Sequence, residues 1–453
     1  MLAKAHWRVS LQTKTFLFAT ACALTGLTHV KGQGVFVRQQ VGGVSIDARG
    51  VVTNVRVDEL NELKQVREQA LKAVPGDLKR QALRKISLRG LEAAIAEYRK
   101  NGTPISDDMR YLAGIERIQY VFVYPEQNDL VLAGPGEGWK LNAQGEVVGI
   151  TTHRPVMLLD DLLVALRSIE MSERTGISCS IDPTAEGLAR LQSFFKRNHT
   201  VDSDPSPLLP GIEQTLGPQT IRVAGVPDTS HFARVLVGAD YRMKRLAMAF
   251  EEPPIAGLPN FLQMIKASSK SPKTMLPRWW LAPDYDALLA DADGLAWELR
   301  GAGVKALTEE EVIGASGERQ RSAQANPLAK KWADNMTAHY DELSTKDAIF
   351  GQLRNCMDLA VVAALISKEN LTEKCGWSMP LLLNHDLLVE SYNAPHQVDS
   401  QASMIQKGST WIISASGGVQ IDPRHLLEKT VPSAALAPLR AKSAAASTAW
   451  WWN

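Results

Sequence analysis

The chain has 453 residues, of which 45% are hydrophobic and 22% charged, and its formal net charge is +1. That length exceeds one ordinary domain and is enough for a sizeable core, and the composition is that of a soluble globular protein. The balanced charge gives no argument for nucleic acid or an anionic membrane as partner.

Residues 1–32 read as a secretory signal peptide. Lys4, Arg8 and Lys14 precede a short apolar run at 15–27, too short to span a bilayer, and Val30-Lys31-Gly32 offers a small residue at the cut, placed after Gly32. Removing them takes away four basic residues and no acidic one, so the charge falls from +1 to −3. The expected location is the periplasm or cell surface. The longest later apolar run, 359–366, fits a buried helix, and no transmembrane span is expected in the mature chain. Three cysteines remain, an odd count that leaves at least one thiol free or intermolecular in an exported chain. Cys356 and Cys375 are the pair read as a possible disulfide. Cys179, in an apolar strand, reads as a small core hydrophobe.

In chain order, residues 35–57 alternate apolar and polar side chains about Gly42-Gly43 and Ala48-Arg49-Gly50, a β-hairpin pattern. Helices are expected at 58–73 and 77–100, separated by Pro75-Gly76, with the cationic stretch 79–100 as a solvated helix face. A short helix at 107–114 and a meander of short strands over 118–150 follow. Next come a helix at 158–170, a strand at 177–181, and a helix at 183–197 with Asp182 as cap and Pro183 at its first position. Residues 202–207 are the linker candidate.

The strongest local signal is residues 219–250. β-Branched residues alternate over 220–226, Pro227 ends the strand, and Asp228, Thr229 and Ser230 are helix-capping types. Phe232, Val235, Leu236, Met243, Leu246, Ala247 and Phe250 then form one apolar stripe, with Arg234, Asp240, Lys244 and Arg245 off it. Strands are expected at 278–281, 295–299 and 304–307, helices at 327–342 and 346–368, and a closing hairpin over 398–416 that turns at Gly408-Ser409. Residues 43–49 are echoed at 418–424 and, more weakly, at 178–183, each a strand leading to Asp. Convergent turn chemistry is the favoured explanation.

No catalytic motif survives inspection. Gly134-Pro135-Gly136-Glu137-Gly138 follows a strand, but no helix opens after it to aim amides at a phosphate, so it reads as a tight hairpin. Asp291-Ala292-Asp293-Gly294 lacks carboxylates at both ends of a calcium loop. Cys356, Cys375, His385 and His396 lack zinc-ligand spacing. No metal or cofactor is expected. The weak catalytic candidates are Asp240, His153, Asp160 and Asp161, and Arg354 with Asp358 reads as a mutually satisfied buried pair.

The stretches RVAGVPDTSHFARVLVGADYRMKRLAM, AGPGEGW, RWWLAPDY and QLRNCMDLAVVAALI together resemble an exported protein family of unknown function abundant in planctomycete bacteria, over residues 35–427. The phrase ADYRMKRLAM at 239–248 is its most specific part. The resemblance implies export and a mixed fold and brings no catalytic residues with it.

The expected architecture is a mixed α/β (α+β) protein of several small mixed sheets with packed helices, a C-terminal helical hairpin and a β-hairpin. Its parts are an N-terminal region at 33–200, a linker or long loop at 201–210, a central region at 211–315, a helical hairpin at 322–370, a β-hairpin region at 371–432 and a disordered tail at 433–453. The leading expectation is a non-enzymatic binding or scaffold protein of the cell envelope, its partner a protein or glycan. The alternative is a hydrolase with dispersed acid and base residues.

Overall fold

Ser230 caps the helix His231–Ala247 through its hydroxyl, which accepts from Ala233 N at 3.1 Å, as a serine at that position should. Phe232, Leu236 and Leu246 are buried, and the strand before the helix, Gln219–Ala224, is an interior strand of the larger sheet. The computed structural model describes residues 40–41, 44–46, 51–54, 78–198, 206–268, 277–313, 319–321, 327–387, 391–392, 395–402, 404–407, 410–413, 417–421, 427–428, 430–444 and 450–453. The leader at 1–32 and the helix expected at 58–73 lie outside the described residues.

The fold is mixed α+β. Among the described residues the larger sheet runs, edge to edge, Gln40–Val41, Val44–Ile46, Val51–Asn54, Gln397–Val398, Gln219–Ala224, Ile177–Asp182, Gly417–Ile421, Pro277–Asp284, Gly303–Ile313 and Arg319–Arg321. The smaller sheet runs Val431–Pro432, Leu289–Ala290, Ala296–Glu298, Tyr120–Tyr124, Asp129–Gly136 and Gln81–Ser87. Segments expected in separate regions are thus neighbours in one sheet, and residues 38–453 form a single compact unit. Two of the echoed segments sit side by side, with Val419 opposite Cys179 and Gly417 opposite Ile181. Met404–Lys407 pairs with Thr410–Ile413, while Val398 instead pairs with Gln219, and the expected turn residues Gly408-Ser409 lie outside the described residues.

The expected helix at 77–100 is corrected in its first half. Gln81–Ser87 is a strand paired with Asp129–Gly136, and the helix begins at Leu88, where the Ser87 hydroxyl accepts from Gly90 N. Arg84 is fully buried rather than solvated, its guanidinium donating to the carbonyls of Ala113 and Lys79. Gly134-Pro135-Gly136 belongs to the partner strand, not to a turn.

The helix His231–Ala247 is covered on both sides. It packs on the strands Ile177–Asp182 and Gly417–Ile421 and against the helix Ala348–Lys368. Arg234, Asp240 and Arg245, expected on a solvated face, are therefore buried. Lys244 pairs with Asp240 at 3.0 Å and Arg245 with Glu251 at 2.5 Å, while Arg234 lies over the Tyr392 ring. Such pairing is what keeps buried charges tolerable. Ala348–Lys368 is long and apolar enough to cross a membrane, with mean hydropathy 1.4, and every residue of that apolar window is buried in the protein.

Arg354 and Asp358 do not pair with each other. Asp358 accepts both Nε and Nη2 of Arg117, at 2.8 and 2.9 Å, the Ile118 amide and the Tyr285 hydroxyl; Arg354 donates to Asp341 at 2.7 Å. Cys179, Cys356 and Cys375 are all free and buried, so the Cys356–Cys375 bond is absent. Cys356 lies within Ala348–Lys368, whereas the Cys375 thiol ends the helix Leu371–Cys375 and donates to Thr372 O. The tail expected to be disordered from 433 carries the helix Leu436–Ser443, and Trp451 O accepts from Ser87 N at 2.8 Å, closing the edge of the smaller sheet. An open strand edge is a liability that such a cover removes.

Candidate functional site

The helix Leu159–Arg167 follows an extended segment and opens with Asp160 and Asp161 in its first turn. Carboxylates there complement the unsatisfied amides of a helix start. Asp161 turns inward, because Leu162, Leu163 and Leu166 of the same helix are core residues. The helix packs on Ala348–Lys368 and on His231–Ala247. This brings Asp161 to His231, the first residue of the latter helix.

The His231 Nδ1 lies 3.0 and 2.9 Å from the two Asp161 carboxylate oxygens, and both side chains are buried. With Nδ1 donating to Asp161, Nε2 is the ring nitrogen left for another molecule. Burial alone would lower the imidazole's pKa, but the Asp161 charge and hydrogen bond, with Glu146 further off, outweigh it and hold His231 above the ordinary histidine value. The Tyr392 ring meets the imidazole edge-on at 5.5 Å, and Tyr392 N donates to Thr229 O at 2.8 Å.

This pair forms part of the wall of a cavity of about 550 Å³. Arg110 and Tyr111 face it from the segment after the first described helix, and Glu146 and Val147 from the hairpin Trp139–Leu141/Val147–Gly149. Gln352 and Asn355 come from the central helix. Gln352 Nε2 donates to Glu146 at 2.7 Å, and Asn355 Nδ2 donates to Pro155 O at 3.0 Å. Among the described residues the buried Gln352 Oε1 has no hydrogen-bond partner. A cavity of this size with a few convergent polar groups has the dimensions of a small-molecule site. Among its described lining residues there is no serine, threonine or cysteine, and the hydroxyls on its wall are those of Tyr111 and Tyr392. No group of metal-ligating residues occurs among the described residues.

Of the four residues picked from the sequence, Asp160 and Asp161 line the cavity. His153 is exposed, in a turn at φ 58°. Asp240 is fully buried elsewhere, paired with Lys244 and beside Cys179. The histidine that meets Asp161 is His231, which sequence reasoning passed over as a helix-start residue. One signal was available: His231 and Val235 are four apart, which puts the imidazole on the apolar side of the helix.

Fold and cavity together define a mixed α+β protein with a buried Asp–His pair in the wall of a polar-lined cavity. Residues 179–261 match the model of a family of proteins of unknown function (DUF1598). The matched segment contains His231 and Asp240 but not Asp161. No curated protein and no solved structure matches the chain.

Proposed function

We propose that this is an exported binding protein of the cell envelope that takes a small polar molecule into the cavity, with His231 as the group that recognises it. The observation that carries the proposal is the Asp161–His231 pair set in the wall of a cavity of about 550 Å³. With Nδ1 committed to Asp161, Nε2 is the His231 nitrogen left to donate to an oxygen of the ligand when the ring is protonated, the form that the Asp161 charge favours. Tyr111 and Tyr392 offer apolar ring surface of the sort that sugars and aromatic groups use. Export rests on the N-terminal leader pattern.

A second reading, hydrolysis, is favoured by the same pair, since a carboxylate that orients an imidazole is the arrangement that activates water. The two readings separate in one experiment. The full mature chain is screened by thermal shift against mono- and oligosaccharides and small carboxylic acids, and against ester, glycoside and peptide substrates for turnover. Saturable stabilisation that His231→Ala abolishes, without turnover, supports binding; turnover lost in His231→Ala and Asp161→Asn supports hydrolysis. Ligands that stabilise His231→Ala as strongly as the wild type would place recognition elsewhere.

A further inference from the structure

Behind the cavity wall, two glutamates meet at one threonine. Glu116 and Glu137 are both buried. The Glu137 carboxylate caps a turn: Oε1 accepts the amides of Thr151 and Thr152, each at 2.8 Å, and Oε2 accepts the Thr151 hydroxyl at 2.5 Å. The Thr152 hydroxyl oxygen touches Glu137 Oε1 at 3.0 Å and also Glu116 Oε1. The same oxygen accepts from Arg154 N at 3.3 Å. All three oxygens crowd the place where a side chain on residue 149 would begin, which is why that residue is glycine.

Counting hydrogens fixes the protonation. A threonine hydroxyl has one hydrogen and two acceptor positions. It cannot donate to two carboxylates at once. If both glutamates were ionised, two buried like charges would face each other across a single hydroxyl hydrogen, a repulsion that a proton on one of them removes. With one proton on Glu116, every position is filled: Glu116 donates to Thr152, Thr152 donates to Glu137, and Thr152 accepts from Arg154 N. Among the described residues Glu137 has four donors and is the ionised member, whereas Glu116 makes one hydrogen bond, to the threonine.

We propose that Glu116 holds a proton at neutral pH and that this proton locks the turn at 149–154 and with it one wall of the cavity. The turn continues the hairpin strand Val147–Gly149, and its far side returns through Arg154 and Pro155, with Gly149 N donating to Arg154 O at 2.8 Å and Val156 N to Val147 O at 3.3 Å. Val147 and Val156 both line the cavity. When the proton leaves, the two carboxylates repel each other across Thr152 and the turn loosens.

The charged groups around Glu116 do not undo this. Arg84 reaches both glutamates electrostatically but donates to backbone carbonyls. Arg154 and Arg80 favour the ionised form, but the Arg154 guanidinium pairs with Asp341. Burial, with Glu137 adding to it, outweighs these and the Thr152 hydrogen bond and raises the Glu116 pKa; for Glu137, burial is outweighed by the Thr151 and Thr152 hydrogen bonds, which lower its pKa. A raised carboxyl binds its proton more tightly folded than unfolded. Its contribution to stability is complete below the ordinary glutamate value and is lost as the pH rises through the raised one.

The test uses the full chain, Glu116→Gln, which keeps a donor in place of the carboxyl proton, and Glu116→Ala, which does not. At neutral pH the infrared difference between wild type and Glu116→Gln should show the carbonyl band of one protonated carboxyl. Glu116→Gln should unfold at the same denaturant midpoint as wild type, with Glu116→Ala well below both. On going to alkaline pH, hydrogen exchange at the Thr151 and Thr152 amides should accelerate more in wild type than in Glu116→Gln. No protonated-carboxyl band, a Gln variant as unstable as the Ala variant, or equal acceleration of exchange in wild type and Glu116→Gln would each overturn the proposal. These readouts involve no ligand, so they stand or fall separately from the binding reading of the cavity.

Discussion

Asp240→Asn isolates the cost of a buried charge. Asp240 is fully buried, one carboxylate oxygen is 3.0 Å from Lys244 Nζ, and the other has no hydrogen-bond partner among the described residues. Burial raises its pKa to about 6, against the pull of Lys244, from an ordinary value of 3.8. Ionising it in the folded protein therefore costs about 3 kcal/mol more than in the unfolded chain. Because the folded pKa is raised, the proton's stabilising contribution is complete below 3.8 and is lost as the pH rises through about 6. Asparagine fits the same space and carries no charge to bury. Lys244 keeps the Ile181 carbonyl, 3.1 Å away, and can still donate to the amide oxygen. Measured by urea unfolding, the variant should equal or exceed wild type near neutral pH, with a gain of up to about 3 kcal/mol. Its advantage should shrink by roughly 1–2 kcal/mol on going to about pH 5, where the wild-type carboxyl regains its proton. A loss of about 2 kcal/mol or more near neutral pH, of the size expected when a buried ion pair is broken, would show that the Asp240 charge is a needed partner for Lys244 and refute the reasoning.

Three further outcomes follow from the packing. Gly90→Ala should destabilise the protein by about 1–3 kcal/mol by overpacking, although alanine ordinarily favours a helix, because its methyl would collide with the Trp450 carbonyl; unfolding curves and tryptophan emission would register the displaced segment, and a more stable variant would refute the docking. Phe232→Ala should cost about 3–5 kcal/mol, since the ring is completely buried between sheet and helix, and a cost under about 1 kcal/mol would contradict that burial. Asp161→Asn should lower the His231 pKa, followed by NMR titration. Since the His231 value is raised, the stability lost in the variant should be complete below the ordinary histidine value and should shrink as the pH rises through the raised one.

Much of the local structure was legible in the sequence because it depends on neighbours in the chain. The strand before Pro227, the Ser230 cap and the apolar stripe from Phe232 to Leu246 are short-range features with a definite period. The turn at Asp291–Gly294 carries its own chemistry, with Asp291 accepting the Leu295 and Ala296 amides. At 81–87 the sequence reads as the start of a helix, and pairing with Asp129–Gly136 makes it a strand instead.

The sequence by itself determined the mixed class, the central strand and helix, and the two acidic residues at the start of Leu159–Arg167. It could not determine that both faces of His231–Ala247 are covered, that Asp358 answers Arg117 rather than Arg354, or that Asp161 meets His231 seventy residues on. Those contacts join segments far apart in the chain, and no periodicity or cap encodes them. The Asp161–His231 contact exists because two helices packed on the central one leave a buried carboxylate beside a donor, and Asp358 meets Arg117 because the segment before Tyr120–Tyr124 lies against that same helix; such coincidences belong to three dimensions.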